Sequence, residues 1–523
     1  MQIINASHWY CIENIETTTY YVNAPVPFNH QCAESYVPFA WLSINKQTKS
    51  IVAARDHFGQ EPFYYTIQNQ SLIFGSSIPD LLIYLKQYPA LSKHCMNDIL
   101  QTKTVCRIYT TETYHEGIFR VTPGHFLYIE QERCTEKPFW QLCKTPLVYT
   151  DHREYFAHFS FLLEEAVRKC ADESQPFALE FSGGVDSSLI LSACQQIGLK
   201  PFLFTHQPSA HREWMDEDRN VKQILRQLQC SKRHCYVGGD DFDSVALFKR
   251  FSKIFAGPSP QLFQILSHDT YQATLQNGCH KLLSGFGGDE CVSAHYPLFA
   301  VYSQQKYEEG FWQAFYTCYQ LTMTHKTGLL NRFRSTLALL PIMAPQFFEQ
   351  CRRMLKNEKN LYEDPTIKRF NQRCTSLQEY EYAVLQGKWS HEIRMRVEYN
   401  AIAAKSLGFE FAYPLLHPPL VEFCFRLPLH QKVRNGNMRC LARQYIEQHI
   451  PRMRYDTKRG SFIPSALQKC RLDYAAGKFN AIFSDLPFEK YADFLPNMEK
   501  KLIFGIKTFM MQEYNQSKHD CAE

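Results

Sequence analysis

Residues 177–196 constrain this chain more than any others. An apolar run, Phe177-Ala178-Leu179-Glu180-Phe181, passes into Ser182-Gly183-Gly184-Val185-Asp186-Ser187-Ser188 and on into a helical stretch, Ser187–Gln196. A buried strand, a glycine turn and a helix in immediate succession form the repeating unit of parallel α/β sheets, because a parallel strand needs a crossover to return. Gly183 and Gly184 allow a tight turn that brings backbone N–H groups up to an anion. Ser182, Ser187 and Ser188 add hydroxyl donors, and the start of the helix adds the positive end of its dipole. Asp186 would repel a bare phosphate and makes sense as a ligand to Mg²⁺ bridging phosphate oxygens. The spacing is not G-x-x-x-x-G-K-[ST], so this is not the loop of a kinase or GTPase. The bland alternative, a serine- and glycine-rich connecting turn, is disfavoured by the strand–loop–helix context.

The 523 residues exceed what one core holds and imply two to four domains. Val37–Ile44, Ile51–Ala54, Pro62–Ile67 and Leu72–Phe74 are short apolar runs split by polar turns, the pattern of antiparallel hairpins. A helix is expected over 78–86, and two more strands at Gly117–Val121 and His125–Glu130 around the turn Thr122-Pro123-Gly124. Composition shifts near Lys144–Thr150, which divides the chain into 1–147 and 148–523. Beyond it, helices at Tyr155–Lys169 and Met215–Leu228 alternate with strands at Pro201–His206 and Lys281–Ser284, and the chain after 297 reads as largely helical. That alternation argues for a doubly wound parallel sheet.

Composition excludes several classes. The balance of 57 Lys+Arg against 52 Asp+Glu leaves +5, too little to mark a nucleic-acid binder. The 19 cysteines contain no CxxC. Cys230, His234 and Cys235 give only a weak zinc signal, and reduced thiols in a cytoplasmic protein are the expectation. The start has no basic segment followed by an apolar core, so no secretory signal is expected. The most apolar stretch, Ser335–Phe348, is broken by Pro341 and Pro345, so no membrane span is expected.

The S-G-G-x-D-S pattern resembles the pyrophosphate-binding loop of ATP pyrophosphatases, which implies cleavage of ATP between the α and β phosphates and adenylation of a substrate oxygen. Three further stretches narrow the resemblance. Arg55-Asp56-His57-Phe58-Gly59-Gln60-Glu61-Pro62-Phe63-Tyr64-Tyr65 is similar to the R-D-x-x-G-x-x-P-L-Y-Y segment of the asparagine synthetase glutaminase domain. Leu283-Ser284-Gly285-Phe286-Gly287-Gly288-Asp289-Glu290 is similar to L-S-G-E-G-G-D-E. Gly408–Leu416, Leu427-Pro428, Gly436, Arg443, Lys458-Arg459-Gly460 and Pro464 resemble that family's ordered C-terminal motifs. The chain is therefore identified as similar to the class B asparagine synthetase-like family. The resemblance implies an adenine nucleotide α-hydrolase-like synthetase domain with a helical C-terminal part, behind a truncated, Ntn-hydrolase-like antiparallel α+β domain. It implies ATP and Mg²⁺ as cofactors. Ser182, Gly183, Gly184, Asp186, Ser187, Ser188, Phe204, Thr205 and Gly285 are the implied nucleotide residues. Asp186 and Asp289 are the implied metal ligands, at the carboxyl ends of strands where open α/β sheets bind ligands; a helix N-cap is the plainer role for Asp289. Lys458, with Asp186 and Asp289, completes the catalytic set by stabilising charge on the acyl-adenylate. Lys458 stands in a stretch, Arg426–Arg459, with nine Lys or Arg against Glu447 and Asp456. Arg439 and Arg443 could serve the phosphates or the surface, and Lys432 and Arg452 read as surface.

The departures carry the functional expectation. Position 2 is Gln2, where a glutamine-dependent member needs its nucleophilic cysteine, and Cys11 and Cys32 are internal, so no glutaminase activity is expected. Only 54 residues precede the Arg55 segment, on the order of half what the resemblance implies for a complete N-terminal domain. Phe286 replaces the glutamate of G-E-G-G-D-E, and a phenyl ring cannot accept a proton from ammonium. Glu392 and Glu398, on a helix expected before Gly408, are candidate substitute bases, with a surface or structural role the plainer reading of each. Ala412 and His417 replace the arginine and aspartate of E-x-R-x-P-F-L-D. These changes, with Leu420–Gly436 followed by Arg439 and Arg443, look most like lasso peptide cyclases. That resemblance implies an ATP-dependent macrolactam closure on a precursor peptide, with a leader-binding protein and a leader peptidase as partners. An ammonia-dependent or β-lactam-synthetase-like small-molecule amide ligase is the competing expectation, and a non-catalytic binding module the third.

Overall fold

The computed structural model describes residues 2–452 apart from 8, 14, 23–29, 86–88, 91, 93–109, 131–132, 172–173, 207–215, 239–241, 258–262, 294–295, 297, 324–375, 387–391 and 435, together with Lys469, Asp473 and Ala476.

The described strands of the first 140 residues form two sheets packed face to face. One is a four-stranded sheet in the order β1-β7-β6-β8; the other has six strands in the order β10-β9-β5-β4-β3-β2. The strands are β1 Gln2–Asn5, β2 Tyr10–Glu13, β3 Thr17–Val22, β4 Ala40–Asn45, β5 Ile51–Arg55, β6 Tyr64–Gln68, β7 Ser71–Gly75, β8 Phe119–Arg120, β9 His125–Glu130 and β10 Arg133–Pro138. All neighbours are antiparallel except β1 beside β7. Period-two alternation sends Leu42, Ala53, Phe74, Leu127 and Ile129 from both sheets into one core with Trp9 and Phe63. The expected strands at 37–44, 51–54, 62–67, 72–74 and 117–121 appear with shifted ends, that at 125–130 with the expected ones, and the helix expected over 78–86 is Ile78–Ile83.

The second unit is built on a five-stranded sheet in the order β13-β12-β11-β14-β15, every neighbouring pair parallel. Its strands are β11 Phe177–Glu180, β12 Phe202–His206, β13 His234–Val237, β14 Lys281–Leu283 and β15 Glu410–Ala412. Of the helices, α1 is His152–Cys170, α2 Val185–Gln196, α3 Ser244–Phe255, α4 His268–Gln276, α5 Glu392–Leu407, α6 Pro418–Arg426 and α7 Cys440–His449. Phe177, Leu179, Leu203 and Leu283 pack on the face covered by α1, α2, α6 and α7. Ala178, Phe204 and Leu282 pack on the other, under α3, α4 and α5. Cys230, His234 and Cys235 lie in or beside β13, and no cluster of three metal-ligating side chains occurs among the described residues. No helix among the described residues is long and apolar enough to cross a membrane.

The two units share apolar core: Ala6, Tyr64, Ile73, Tyr114 and Ile118 belong to the same cluster as α3 and α5. One buried charge cluster locks them together. Glu398 of α5, fully buried, accepts from Tyr64 Oη at 2.6 Å and pairs with Arg55 Nη1 at 2.9 Å and Arg120 Nε at 3.2 Å. Arg55 also donates to the carbonyls of Glu61, Val121 and Gly59. Asp56 accepts from the backbone N–H groups of Phe58, Gly59, Gln60 and Glu61. Glu398 is thus a structural anchor and not the free base the sequence allowed. Glu392 opens α5, but its side chain lies outside the described residues.

Candidate active site

Two loops meet at the carboxyl edge of the parallel sheet. The first leaves β11 through Phe181 and turns at Gly183, whose φ of 74° strains any other L-residue, into α2. The loop holds its own shape. Ser187 Oγ accepts from Ser182 N at 3.2 Å, Ser182 Oγ accepts from Gly184 N at 3.2 Å, and Asn220 Nδ2 donates to Gly183 O at 3.5 Å. Thr205 Oγ1 donates to Phe181 O at 2.5 Å and lies 2.9 Å from His234 Nε2, so its hydroxyl braces the loop. Asn220 escapes sequence reading, and His234 stands out in sequence only beside Cys230 and Cys235, because their contacts with the loop come from the tertiary fold and not from sequence neighbours.

The second loop follows β14. Gly287 N donates to Glu290 Oε2 at 2.9 Å and opens a wide helical turn over Gly288–Val292, a form common at functional sites. Gly287, not Asp289, therefore occupies the cap position. The loops touch: a Cβ added at Gly288 would stand 2.3 Å from the Asp186 carboxylate, and one at Gly285 3.1 Å from Ser187 N. Gly288→Ala is expected to leave folding intact, displace the Asp186 carboxylate and lower ATP–pyrophosphate exchange at least about tenfold. Each 1.36 kcal/mol lost at the transition state is tenfold in rate, and overpacking typically costs about 1–3 kcal/mol. Unchanged exchange would show that Asp186 has room to move.

The two expected metal carboxylates converge. Ser293 Oγ donates to Asp186 Oδ1; Arg439 Nη2 pairs with Asp289 Oδ1, and Arg439 Nη1 lies 3.8 Å from Asp186 Oδ1. The Arg439 side chain is 8% exposed, and its backbone holds φ 66° at the head of α7. A left-handed arginine costs about 1–2 kcal/mol and persists where its surroundings over-determine it. One guanidinium thus lies against both carboxylates. Two carboxylate oxygens plus phosphate oxygens and water suit Mg²⁺.

Other expected residues fall differently. Ser188 is completely buried, so only Ser182 of the three serines is exposed at the loop. The Phe204 ring lies in the core at 2% exposure, leaving its backbone alone at the sheet edge. Lys458 and Pro464 lie outside the described residues. Lys432, read as surface, is 6% exposed and pairs with Glu381 at 2.6 Å beneath Tyr296, which makes it structural. His417 is 3% exposed with neither ring nitrogen hydrogen-bonded among the described residues, and burial pushes it down to about 4, so it is neutral near pH 7.

The substituted position is enclosed. Phe286 is 7% exposed, Arg396 of α5 lies over its ring at 4.2 Å, and Tyr413 meets it edge-on at 6.2 Å. Tyr413 Oη accepts from Asn400 Nδ2 at 2.8 Å. A cation over an aromatic face is worth about 2 kcal/mol or more when desolvated, so Phe286 holds Arg396 in place.

A model of the asparagine synthase family matches residues 158–497, and one of a glutamine amidotransferase domain matches residues 30–140. The chain is 21% identical over 428 residues to glutamine-hydrolyzing asparagine synthetase 1 of Bacillus subtilis, covering 79% of this chain and 65% of that protein. Over 270 residues it is 26% identical to asparagine synthetase 2 of the same organism, covering 47% of this chain and 34% of that one. Over 156 residues it is 29% identical to Amidase chry2 of Gibberella zeae, covering 29% of this chain and 22% of that one. The chain thus matches less than two thirds of the length of each of these relatives. The family model covers well over half of the chain, its match contains both loops and Arg439, and the chain belongs to the asparagine synthase family.

Proposed function

We propose that this chain is an ATP-dependent carbon–nitrogen ligase that adenylates a carboxylate, releases pyrophosphate, and couples the acyl group to an amine with release of AMP. Macrolactam closure of a precursor peptide, as in lasso peptide cyclases, is the preferred reaction. The observation that carries the reading is the convergence of Asp186, Asp289 and Arg439 at the mouth of the Ser182–Ser188 loop. Mg²⁺ held by Asp186 and Asp289 would neutralise phosphate charge. The loop N–H groups and Ser182 bind the phosphates, and Lys458 is assigned to the charge that develops on the acyl-adenylate.

The choice of an intramolecular amine rests on Phe286. The ring offers ammonium no carboxylate at the position where the family pattern has one, and the Arg396 guanidinium lies over it. A tethered amine gains about 7–11 kcal/mol from orientation and needs less help. No glutaminase step is proposed. Burial pushes the Cys32 thiol up to about 12, and burial with the nearby Glu13 raises Cys11, so neither is an activated nucleophile. A leader-binding protein and a leader peptidase are the proposed partners, in the cytoplasm. The amide ligase acting on a small molecule and ammonia is the second reading, favoured by the long match to asparagine synthetase 1.

The test uses synthetic linear peptides with a free N-terminus and one Asp or Glu, with Mg·ATP. The expected outcome is AMP and pyrophosphate together with a peptide product lighter by one water. Asparagine made from aspartate and ammonium, with every peptide inert, would establish the second reading instead.

A further inference from the structure

The strand that feeds the nucleotide loop ends on a charge. Phe177, Ala178 and Leu179 are buried, and Glu180 closes β11 immediately before Phe181 and the loop. Successive side chains on a strand alternate faces. Phe177 and Leu179 belong to the core under α1 and α2, and Ala178 to the core under α3, α4 and α5. Glu180 therefore turns toward α4 and α5. It is level with Phe204 on β12. Leu179 is level with Leu283, and Leu283 with Ala412, so one step further along the edge Glu180, Ser284 and Tyr413 stand in a row.

A carboxylate at the centre of a parallel sheet is costly unless it is paired. Glu180 Oε1 is buried and has no hydrogen-bond partner among the described residues. Its negative charge reaches His206 at the end of β12, Tyr271 on α4 and Tyr413 after β15. Burial dominates each of these groups, lowering His206 and raising both tyrosines, and Asp269 also acts on His206. Arg396 faces Tyr271 and Tyr413 from α5 and covers Phe286. The acceptor side of the sheet edge thus brings together, among the described residues, a carboxylate with an unused oxygen, aromatic walls and the Arg396 guanidinium.

That arrangement answers a chemical need of the ligase reading, on which it rests. An α-amine has a pKa of about 7.7–8.0 and arrives at pH 7 largely as ammonium, without a lone pair. Phe286 offers its proton no acceptor. We infer that Glu180 holds the incoming organic ammonium group and takes its proton. R–NH₃⁺ gives one proton to the Glu180 carboxylate. The freed lone pair forms the C–N bond at the acyl carbon, and the C–O bond to AMP breaks with its electron pair on the AMP phosphate. A second N–H proton passes to solvent as the amide forms.

Half-reactions of the full chain separate this role from a structural one. The probes are Mg·ATP, L-aspartate, L-glutamate and the free-N-terminus peptides above, with either the peptide's own amine or hydroxylamine, a weak base, as acceptor. E180Q is expected to keep carboxylate-dependent ATP–pyrophosphate exchange and hydroxamate formation within about threefold of wild type. It should lose amide formation by about 10²–10⁴, the usual worth of a general base, and the residual rate should climb with pH toward the amine's pKa. E180D is expected to recover part of the loss. Amide formation by E180Q at the wild-type rate overturns the inference. So does loss of exchange and hydroxamate together with amide in both variants, which would make Glu180 a support for the loop. If the wild type itself shows no exchange with any probe, the ligase reading falls and this inference with it.

Discussion

Asp186→Asn is expected to reduce carboxylate-dependent ATP–pyrophosphate exchange by about three orders of magnitude or more while the protein melts within a few degrees of wild type. The two halves of that expectation have different causes. Chemically, the substitution removes one of the two carboxylates proposed to hold Mg²⁺, and loss of charge stabilisation on a transferring phosphate costs several kcal/mol of transition-state energy. Structurally, little depends on the charge. Asp186 lies in the first turn of α2, where a carboxylate contributes about 0.3–1 kcal/mol through the helix dipole. Its ion-pair distance to Arg439 is 3.8 Å, long enough to contribute little. Asparagine is nearly the same size and still accepts from Ser293. The measurement is exchange of labelled pyrophosphate into ATP beside a thermal melt. Exchange retained within tenfold would remove Asp186 from the metal site, and a melt lowered by ten degrees would make it structural.

How far the site could be read in advance depended on how local each residue's role is. The Ser182–Ser188 loop was legible because its strand, its glycine turn and its helix are contiguous, and Asp289 because its glycines punctuate a second strand end. Arg439 was left undecided by sequence for the opposite reason: its partners Asp186 and Asp289 come from two other loops, and only the strand order brings all three together. Glu398 misled for a related reason. On a helix of mixed polarity a glutamate reads as surface, yet its partner Tyr64 lies 334 residues away in sequence. Of the sheet, β11, β12 and β14 were evident as apolar runs. His234–Val237 and Glu410–Ala412 were not, because three or four residues with polar members give no period to detect. The opening strands β1, β2 and β3 were missed because their residues are largely half-exposed or exposed, so the alternation that betrays a half-buried strand is weak. Lys432 was misread through its type alone; lysine is buried where a buried carboxylate pairs with it, and Glu381 sits on a helix whose contact with α6 no local pattern reveals.

Glu398→Ala is expected to destabilise the protein by about 3–5 kcal/mol, the largest effect on stability of any single substitution considered. Removing one partner of a buried ionic cluster leaves the others buried and uncompensated. Here two guanidiniums, Arg55 at 0% and Arg120 at 4% side-chain exposure, would lose the buried carboxylate they share. Glu398→Gln keeps the shape and the hydrogen bond from Tyr64 and should cost somewhat less. The pH dependence follows from the same contacts. Burial raises the Glu398 carboxyl, but Arg120, Arg55 and the hydrogen bond from Tyr64 outweigh it and hold the group below the usual carboxylate range. A depressed carboxyl contributes stability that is fully present above its unfolded pKa, about 4.3, and is lost as pH falls through the lower folded value. Wild type should therefore lose stability as pH falls below about 4.3, and Glu398→Gln should lose less over that window, measured by urea denaturation at each pH. Because α5 also carries Arg396 over Phe286, loosening its anchor should lower amide formation even where Asp186 and its loop are intact. Equal stability of wild type and Glu398→Ala would mean that the guanidiniums find water or other carboxylates. The shared core, and not the ion cluster, would then hold the amidotransferase-like unit on the synthetase sheet.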